Sequence, residues 1–581
     1  MARDEAYQEA ERCIEAACQE GATELNLSEL KLTELPEEIA SLAQLKALDL
    51  SDNQLTELPK AICNLKRLEL LYAQRNQLLM LPEGIDALCE LKELLIFNNG
   101  IIQLPKRTSR LKKLQVIRMS RNPLSESLDS IQWELMTALQ EIQIEETGLR
   151  GSPFWLLKLP QLRILALGNN EISRFSFPLD SMPNLEILVL GGTFSEDGIP
   201  LEKLPEEIGK LANLRMLYAA SCELTDLPLS VSLLKNLELL DISNNPLNLD
   251  LAAAYEQDIH AVKQYLRARA EGEISLNQAK LILVGEGEVG KSCLLGALRG
   301  DDWLESRPTT HGIEIKSVIV NARNSETEIT LNGWDFGGQR VYRPTHQLFF
   351  SSTAMYLVVW KPREGPQQGF VKEWITLIKH REPDAKVLVV ATHGGPGQRQ
   401  PDIDRQELID LFGHDTVLGF HHIDSKEGTG ITKLREAIAN TAATLPGMGR
   451  KVPTKWQELR EQLEDSGQPY MPYRDVIALC EEHGLEGSAA ELFVRVSHTL
   501  GYLIHYHYDP ILQDIVILQP DWLAKAISFV LDDDLTRQRN GLVEFEHLSQ
   551  LWSYPPFAGE TGYPPELHPV FLRLMERFDL S

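Results

Sequence analysis

The chain is 581 residues long, 43% hydrophobic and 24% charged, with a formal net charge of −27 from 84 acidic and 57 basic residues. That length leaves room for three or more domains, each with its own core. The acidic excess repels phosphate backbones and anionic lipid, which argues against nucleic acid or a membrane surface as the main partner.

The first 21 residues are charged and patterned as a helix over 4–20, without the apolar centre of a signal peptide. No apolar run approaches the roughly 18 residues of a membrane span. Seven cysteines (Cys13, Cys18, Cys63, Cys89, Cys222, Cys293 and Cys480) are scattered and form no CxxC pair. They read as reduced thiols of a cytoplasmic protein.

Next comes a repeat. Leucines stand at 45, 68, 91 and 114, and the series resumes at 139, 162 and 185 and at 214 and 237. Within a unit, Leu45, Leu48, Leu50, Asn53, Leu55 and Leu58 recur as Leu91, Leu94, Ile96, Asn99, Ile101 and Leu104. The alternation predicts a short strand with one buried face. The Asn at 53, 76, 99, 122, 170 and 245 predicts a ladder of buried amides bonded to adjacent turns, with Cys222 standing in once. Leu-Pro steps turn the chain into its return segment. This is a leucine-rich-repeat pattern of about ten units over 22–249, with the helix of residues 1–21 as its cap. Two units are long, and their extra residues (IQWELMT and GGTFSEDGIP) are expected to bulge at loops. A solenoid of this kind offers a concave surface for a protein ligand that the sequence does not identify.

Residues 250–274 read as one connecting helix ended by Gly272, with Ile259, Val262, Tyr265 and Leu266 near one face. The period then changes. An apolar strand runs into Gly285-Glu286-Gly287-Glu288-Val289-Gly290-Lys291-Ser292, a GxxxxGK[ST] loop, and then a helix. Glycines let backbone N–H groups curl around phosphates, Lys291 reaches the β and γ oxygens, and Ser292 suits Mg²⁺. Cys293 follows on the helix. Further on, Thr309-Thr310 precedes a strand. Asp335-Phe336-Gly337-Gly338-Gln339 ends another, 43 residues after Ser292, as a DxxGQ. In that order Thr310 is expected on the metal and Asp335 on it through water. The Gly338 N–H would meet the γ-phosphate, and Gln339 would orient the attacking water. Strands near 281–284, 313–320, 328–334, 354–360, 385–392 and 417–423 predict a six-stranded α/β sheet with crossover helices.

Residues 275–445, most closely WDFGGQRVYRPTHQLFFSSTAMYLVVW, resemble the Ras-like Roc domain of Roco proteins. The segment 450–581, through YMPYRDVIALCEEHGL, LGYLIHYHYDPILQDIVILQPDWLAKAI and HPVFLRLMERFDL, is similar to the first part of the COR module. The fold class expected is multidomain α/β: a repeat solenoid, a P-loop GTPase domain, and a mostly helical, winged-helix-like COR segment. The resemblance implies GTP and GDP binding, slow hydrolysis with Mg²⁺, and a homodimer through Roc and COR.

It also sets the base loops. Thr392-His393-Gly394-Gly395 stands where such domains carry THxD or NKxD, so the base-reading carboxylate is missing, with Asp402 and Asp404 as nearby substitutes. Asp424-Ser425-Lys426 matches the SAK element, placing Ser425 and Lys426 beside the base. Two alternatives stay open: a nucleotide-holding scaffold without useful hydrolysis, and a P-loop ATPase of relaxed base choice. No VAIK, HRD and DFG set stands in kinase order. His421-His422 and the pair His505/His507 read as core or surface residues, the latter pair alternating on an expected strand without acidic or thiol partners at ligand spacing. Arg340 and Arg343 are read as phosphate-neutralising arginines or as structural ion pairs.

Overall fold

The computed structural model describes residues 5–125, 127–151, 153–172, 181–191, 198–305, 313–321, 328–338, 346, 350, 354–362, 368–394, 400–539, 542–554 and 562–577. Two compact units result, 1–267 and 268–581.

In the first unit α1 (Glu5–Glu20) buries Ala10, Ile14 and Ala17 against the first repeat. Ten short strands, β1 (Glu24–Asn26) to β10 (Leu239–Asp241), then stack in sequence order as one parallel sheet. The leading leucines 45, 68, 91, 114, 139, 162, 185 and 214 are fully buried. Return segments are 3₁₀ turns entered through the Leu-Pro steps, as at Pro59, Pro105 and Pro228. Proline fixes the φ that such a turn begins with.

The asparagine ladder forms as expected. Asn122 donates Nδ2 to the Ile96 and Met119 carbonyls at 2.9 and 3.0 Å, and its Oδ1 accepts the Ile101 N–H at 2.9 Å. Asn53, Asn76, Asn99, Asn170 and Asn245 repeat the arrangement, and the Cys222 thiol points at the Leu190 carbonyl. Asn122→Ala should strip partners from the buried Ile101 N–H and Ile96 carbonyl. At about 1–3 kcal/mol for each orphaned group, urea unfolding of the repeats should lose about 2–6 kcal/mol. A wild-type midpoint would show that the ladder carries no such weight.

Two sequence expectations need correction here. The long unit does not bulge at 131–137: Trp133 opens an added 3₁₀ turn, is fully buried, and stacks on Trp155 at 4.4 Å. The extra length is therefore core, held by an indole no loop would leave in water. The connecting helix is two helices, α2 (Leu249–Gln257) and α3 (Ile259–Glu271). Asp258 is extended between them and caps α3 by accepting the Ala261 N–H at 2.7 Å. In the other long unit, 192–197 lie outside the described residues.

In the second unit β11 (Glu273–Leu276) pairs antiparallel with β18 (Arg450–Pro453), a ribbon the sequence reading missed. The six-stranded sheet runs β13-β14-β12-β15-β16-β17. Its members are β12 (Gln278–Val284), β13 (Ile313–Asn321), β14 (Glu328–Phe336), β15 (Ala354–Trp360), β16 (Lys386–Ala391) and β17 (Val417–His422). Edge strand β13 is antiparallel to β14 and every other pair is parallel.

Leu281, Leu283, Leu357 and Val390 face α4 (Lys291–Arg299) and α7 (Ile431–Ala442). Ile282, Val284, Trp334, Phe336 and Tyr356 face α5 (Gln368–Arg381) and C-terminal helices. Burial on both faces is why these strands read as unbroken apolar runs. The crossover α6 (Arg405–Phe412) precedes β17.

Beyond β18 the chain is mostly helical. It comprises α8 (Thr454–Asp465), α9 (Tyr473–Glu482), α10 (Ser488–Leu500), α11 (Pro520–Asp532), α12 (Asp534–Gln538), α13 (Phe545–Ser553) and α14 (His568–Arg577). A two-stranded ribbon, β19 (Tyr470–Pro472) with β20 (Ile515–Ile517), joins them. His505 and His507 are not on a strand. Their segment turns at Asp509, whose carboxylate accepts the Ile511 N–H and bonds Arg573. His505 donates its Nε2–H to the Gln513 carbonyl and stacks on Tyr473. Among the described residues no His/Cys/Asp/Glu group is arranged to hold a metal, and no helix is long and apolar enough to cross a membrane. All seven cysteines are free thiols.

Candidate nucleotide-binding site

The site is built where β12 ends. Its last residue, Val284, is fully buried, and the loop then leaves the sheet through Gly285 at φ +148°, where a Cβ would stand 2.1 Å from the Val359 carbonyl. Only glycine passes there. Glu288 takes a left-handed φ of +61° and Gly290 one of +91°. α4 starts at Lys291 from this glycine, with no side chain capping its first turn. Backbone N–H groups therefore gather at a helix start, the arrangement that suits an anion.

Lys291 is 6% exposed and folds back over the loop, donating to the Gly285 and Glu286 carbonyls at 2.9 and 3.0 Å. Burial pushes its ammonium down to about 8, against the opposing pull of Asp335 and Glu286. Asp335 lies one strand over: it pairs in register with Leu283 near the end of β14 and is fully buried. Three residues later Gly338 packs on the loop so closely that a Cβ would be 2.6 Å from both Lys291 Nζ and the Glu286 carbonyl. The structure thus brings Gly285 to Cys293, Asp335 and Gly338 together, with Ser292 and Cys293 half-buried in the first turn of α4. Thr309, Thr310, Gln339, Arg340, Arg343 and Gly395 lie outside the described residues.

The loop after β16 joins the same place. Buried Thr392 donates its hydroxyl to the Val289 carbonyl at 2.7 Å and lies 3.0 Å from His393 Nδ1. Gly394 donates its N–H to the Ile423 carbonyl, which ties this loop to the one after β17. There Asp424 accepts the Lys426 and Glu427 N–H groups at 2.8 and 3.0 Å, folding Ser425 into a turn. Asp404 accepts the Glu407 N–H as the cap of α6. That position ties Asp404 to a helix end.

Sequence reasoning missed two buried residues of this sheet and its surroundings. His346 is buried between Phe336, 4.4 Å away, and Trp374 of α5, 5.4 Å away. Lys280, buried on β12, is the other; an unremarkable Ala-Lys-Leu triplet gives no sign of it.

Three family models match in order. They are "Leucine-rich repeat region" over 24–193, "Ras of Complex, Roc, domain of DAPkinase" over 280–394, and "C-terminal of Roc, COR-A domain" over 453–581. Among curated proteins, the "Probable serine/threonine-protein kinase pats1" of Dictyostelium discoideum is 26% identical over 62% of this chain and 12% of its own length. A "Roc-COR-CHAT protease" of an unknown prokaryotic organism is 27% identical over 79% of this chain and 44% of its own. The mouse "Leucine-rich repeat serine/threonine-protein kinase 1" is 24% identical over 80% and 24%. The chain spans less than half the length of these relatives. A solved structure of Methanosarcina barkeri Roco2 RocCORdC bound to GDP is 27% identical, covering 53% of this chain and 93% of that one, with a TM-score of 0.46.

Proposed function

Because the chain belongs to the Roco family, with leucine-rich repeats, a Roc domain of the Ras-like GTPase family and a COR-A segment in order, we propose that it binds GTP, hydrolyses it slowly, and acts as a molecular switch. The observation that carries this reading is a convergence at one end of the sheet. The loop from Gly285 to Ser292, the Asp335–Gly338 corner, and the loops at Thr392 and Asp424 all meet there.

In this reading the N–H groups of Gly285, Glu286, Gly287, Glu288, Val289, Gly290, Lys291, Ser292 and Cys293 cradle the phosphates. Lys291 neutralises the β and γ oxygens, and Thr392, His393, Ser425 and Lys426 border the base. The donor set fits Mg²⁺: a serine hydroxyl at the helix start and a buried carboxylate near the end of β14 are hard oxygen ligands. Ser292 and Thr310 would hold the ion directly and Asp335 through water. When bound, it supplies positive charge between the phosphates. Gln339 orients a water molecule that attacks the γ-phosphorus, the bond to the departing GDP breaks, and the Gly338 N–H steadies the γ-phosphate oxygens. The repeats are then a docking surface for a protein ligand, and Roc with COR-A a dimerisation module. The kinase and protease named in the relatives belong to those proteins.

Phosphate release from GTP in magnesium buffer tests the reading. Wild type should turn over, Gln339→Leu should slow it about tenfold or more while GTP still binds, and Lys291→Ala should give the blank rate. Wild-type release equal to that of Lys291→Ala would leave a nucleotide-holding scaffold.

A further inference from the structure

The strand that feeds the phosphate loop carries a second buried lysine, and part of its surroundings belongs to the COR-A segment. Lys280, five residues before Gly285, is 5% exposed, with Nζ 5.3 Å from the centre of the Trp334 ring. Burial pushes its ammonium down to about 8, and Glu382, just past α5, favours the charge. Its stem lies in the turn that ends α10. Gly501 there has φ +78°, and a Cβ on it would be 1.9 Å from Lys280 Cε and 2.6 Å from Nζ. The ammonium thus sits at a helix C-terminus, where carbonyl dipoles favour a cation. His498, in the last turn of α10, is pushed down to about 4 by burial and by Lys280, so it stands neutral beside it.

Tyr502, which follows Gly501, lies near Asn332 and is covered by the Arg460 guanidinium 4.3 Å from its ring. Asn332 is the register partner of Lys280 across β12 and β14. One COR-A turn therefore packs on a rung shared by two strands. Three rungs further along, roughly 10 Å at the rise of a strand, the same strands reach Leu283 and Asp335. They then deliver Gly285 and Gly338.

We propose that Lys280 is a positioning residue: seated in the Gly501 turn, it couples COR-A to the phosphate loop and Asp335, so the fit of that turn sets how fast nucleotide leaves. This rests on the reading of Gly285 to Ser292 as the nucleotide site. A lysine suits the task because the Trp334 face, Glu382 and the helix end each fix where its ammonium lies. A merely structural lysine would change the melting temperature and leave nucleotide release alone.

The test uses the full chain, following release of fluorescent GDP in magnesium buffer well below the melting temperature. Gly501→Ala drives a methyl group into the Lys280 stem and should speed release about tenfold. Lys280→Ala makes room for that methyl, so the double variant should release GDP at the rate of Lys280→Ala rather than at the product of the two effects. Lys280→Met keeps the length without the charge and adds no backbone strain, so it serves if Gly501→Ala does not fold; it too should release GDP faster. Wild-type release rates in Gly501→Ala or Lys280→Met, or effects that simply multiply in the double variant, would overturn the coupling. If wild type binds no more GDP than Lys291→Ala, the nucleotide-site reading fails and takes the coupling with it. Wild-type binding with unaltered variants removes the coupling alone.

Discussion

Lys291→Ala should lose nucleotide altogether, with affinity for fluorescent GDP and GTP falling at least about a hundredfold. The lysine is the loop's own cation, 6% exposed and braced on the Gly285 and Glu286 carbonyls. In that buried position its charge faces little competition from solvent. Each charge-assisted bond it makes to a phosphate oxygen is worth about 1.5–3 kcal/mol, and two such bonds lie beyond a hundredfold in affinity. The substitution also strips two loop carbonyls of their donor, so circular dichroism and the melting curve must show the mutant folded. Lys291→Arg should not restore binding, because a planar fork does not fit the space of a compact ammonium under Gly338. A folded Lys291→Ala protein with wild-type affinity would place the phosphates elsewhere.

What the sequence made legible was whatever repeats or obeys a local rule. The repeats announce themselves because each unit must place a leucine on the core and an asparagine on the ladder, and a miss at either orphans buried groups. The phosphate loop is legible because its conformation excludes side chains at Gly285. Most of what was missed depends on partners distant in sequence, and the rest on side chains that cap or turn the chain locally. Trp133 looked like surplus length until Trp155, 22 residues on, gave it a stacking partner. Asp258 sits in an apparently helical run, yet its carboxylate caps the next helix and breaks the chain there. The β11–β18 ribbon pairs residues about 175 positions apart, and neither half has enough alternation to declare itself. His505 and His507 alternate as a strand would, but the bonds of Asp509 to Ile511 and Arg573 impose a turn. Lys280 belongs to the same class: its role exists only once Gly501 arrives from 221 residues away.

Gly395→Asp should raise the preference for GTP over ATP about ten- to a hundredfold. The residues just before it are held twice, by Thr392 on the Val289 carbonyl and by Gly394 on the Ile423 carbonyl. A carboxylate added one residue on would therefore enter next to a fixed frame. Of the two nearby candidates, Asp402 and Asp404, the second is committed to the cap of α6, where it accepts the Glu407 N–H. With Asp404 engaged there, wild type should read the base mainly through the main chain around Ser425 and Lys426, which rejects adenine weakly. One restored charge-assisted pair, at about 1.5–3 kcal/mol, accounts for the expected range. Competition of GTP and ATP against fluorescent GDP measures it, and a single ratio serves because both nucleotides share the phosphate contacts. An unchanged ratio in a folded Gly395→Asp protein would mean that guanine is recognised by residues other than these loops.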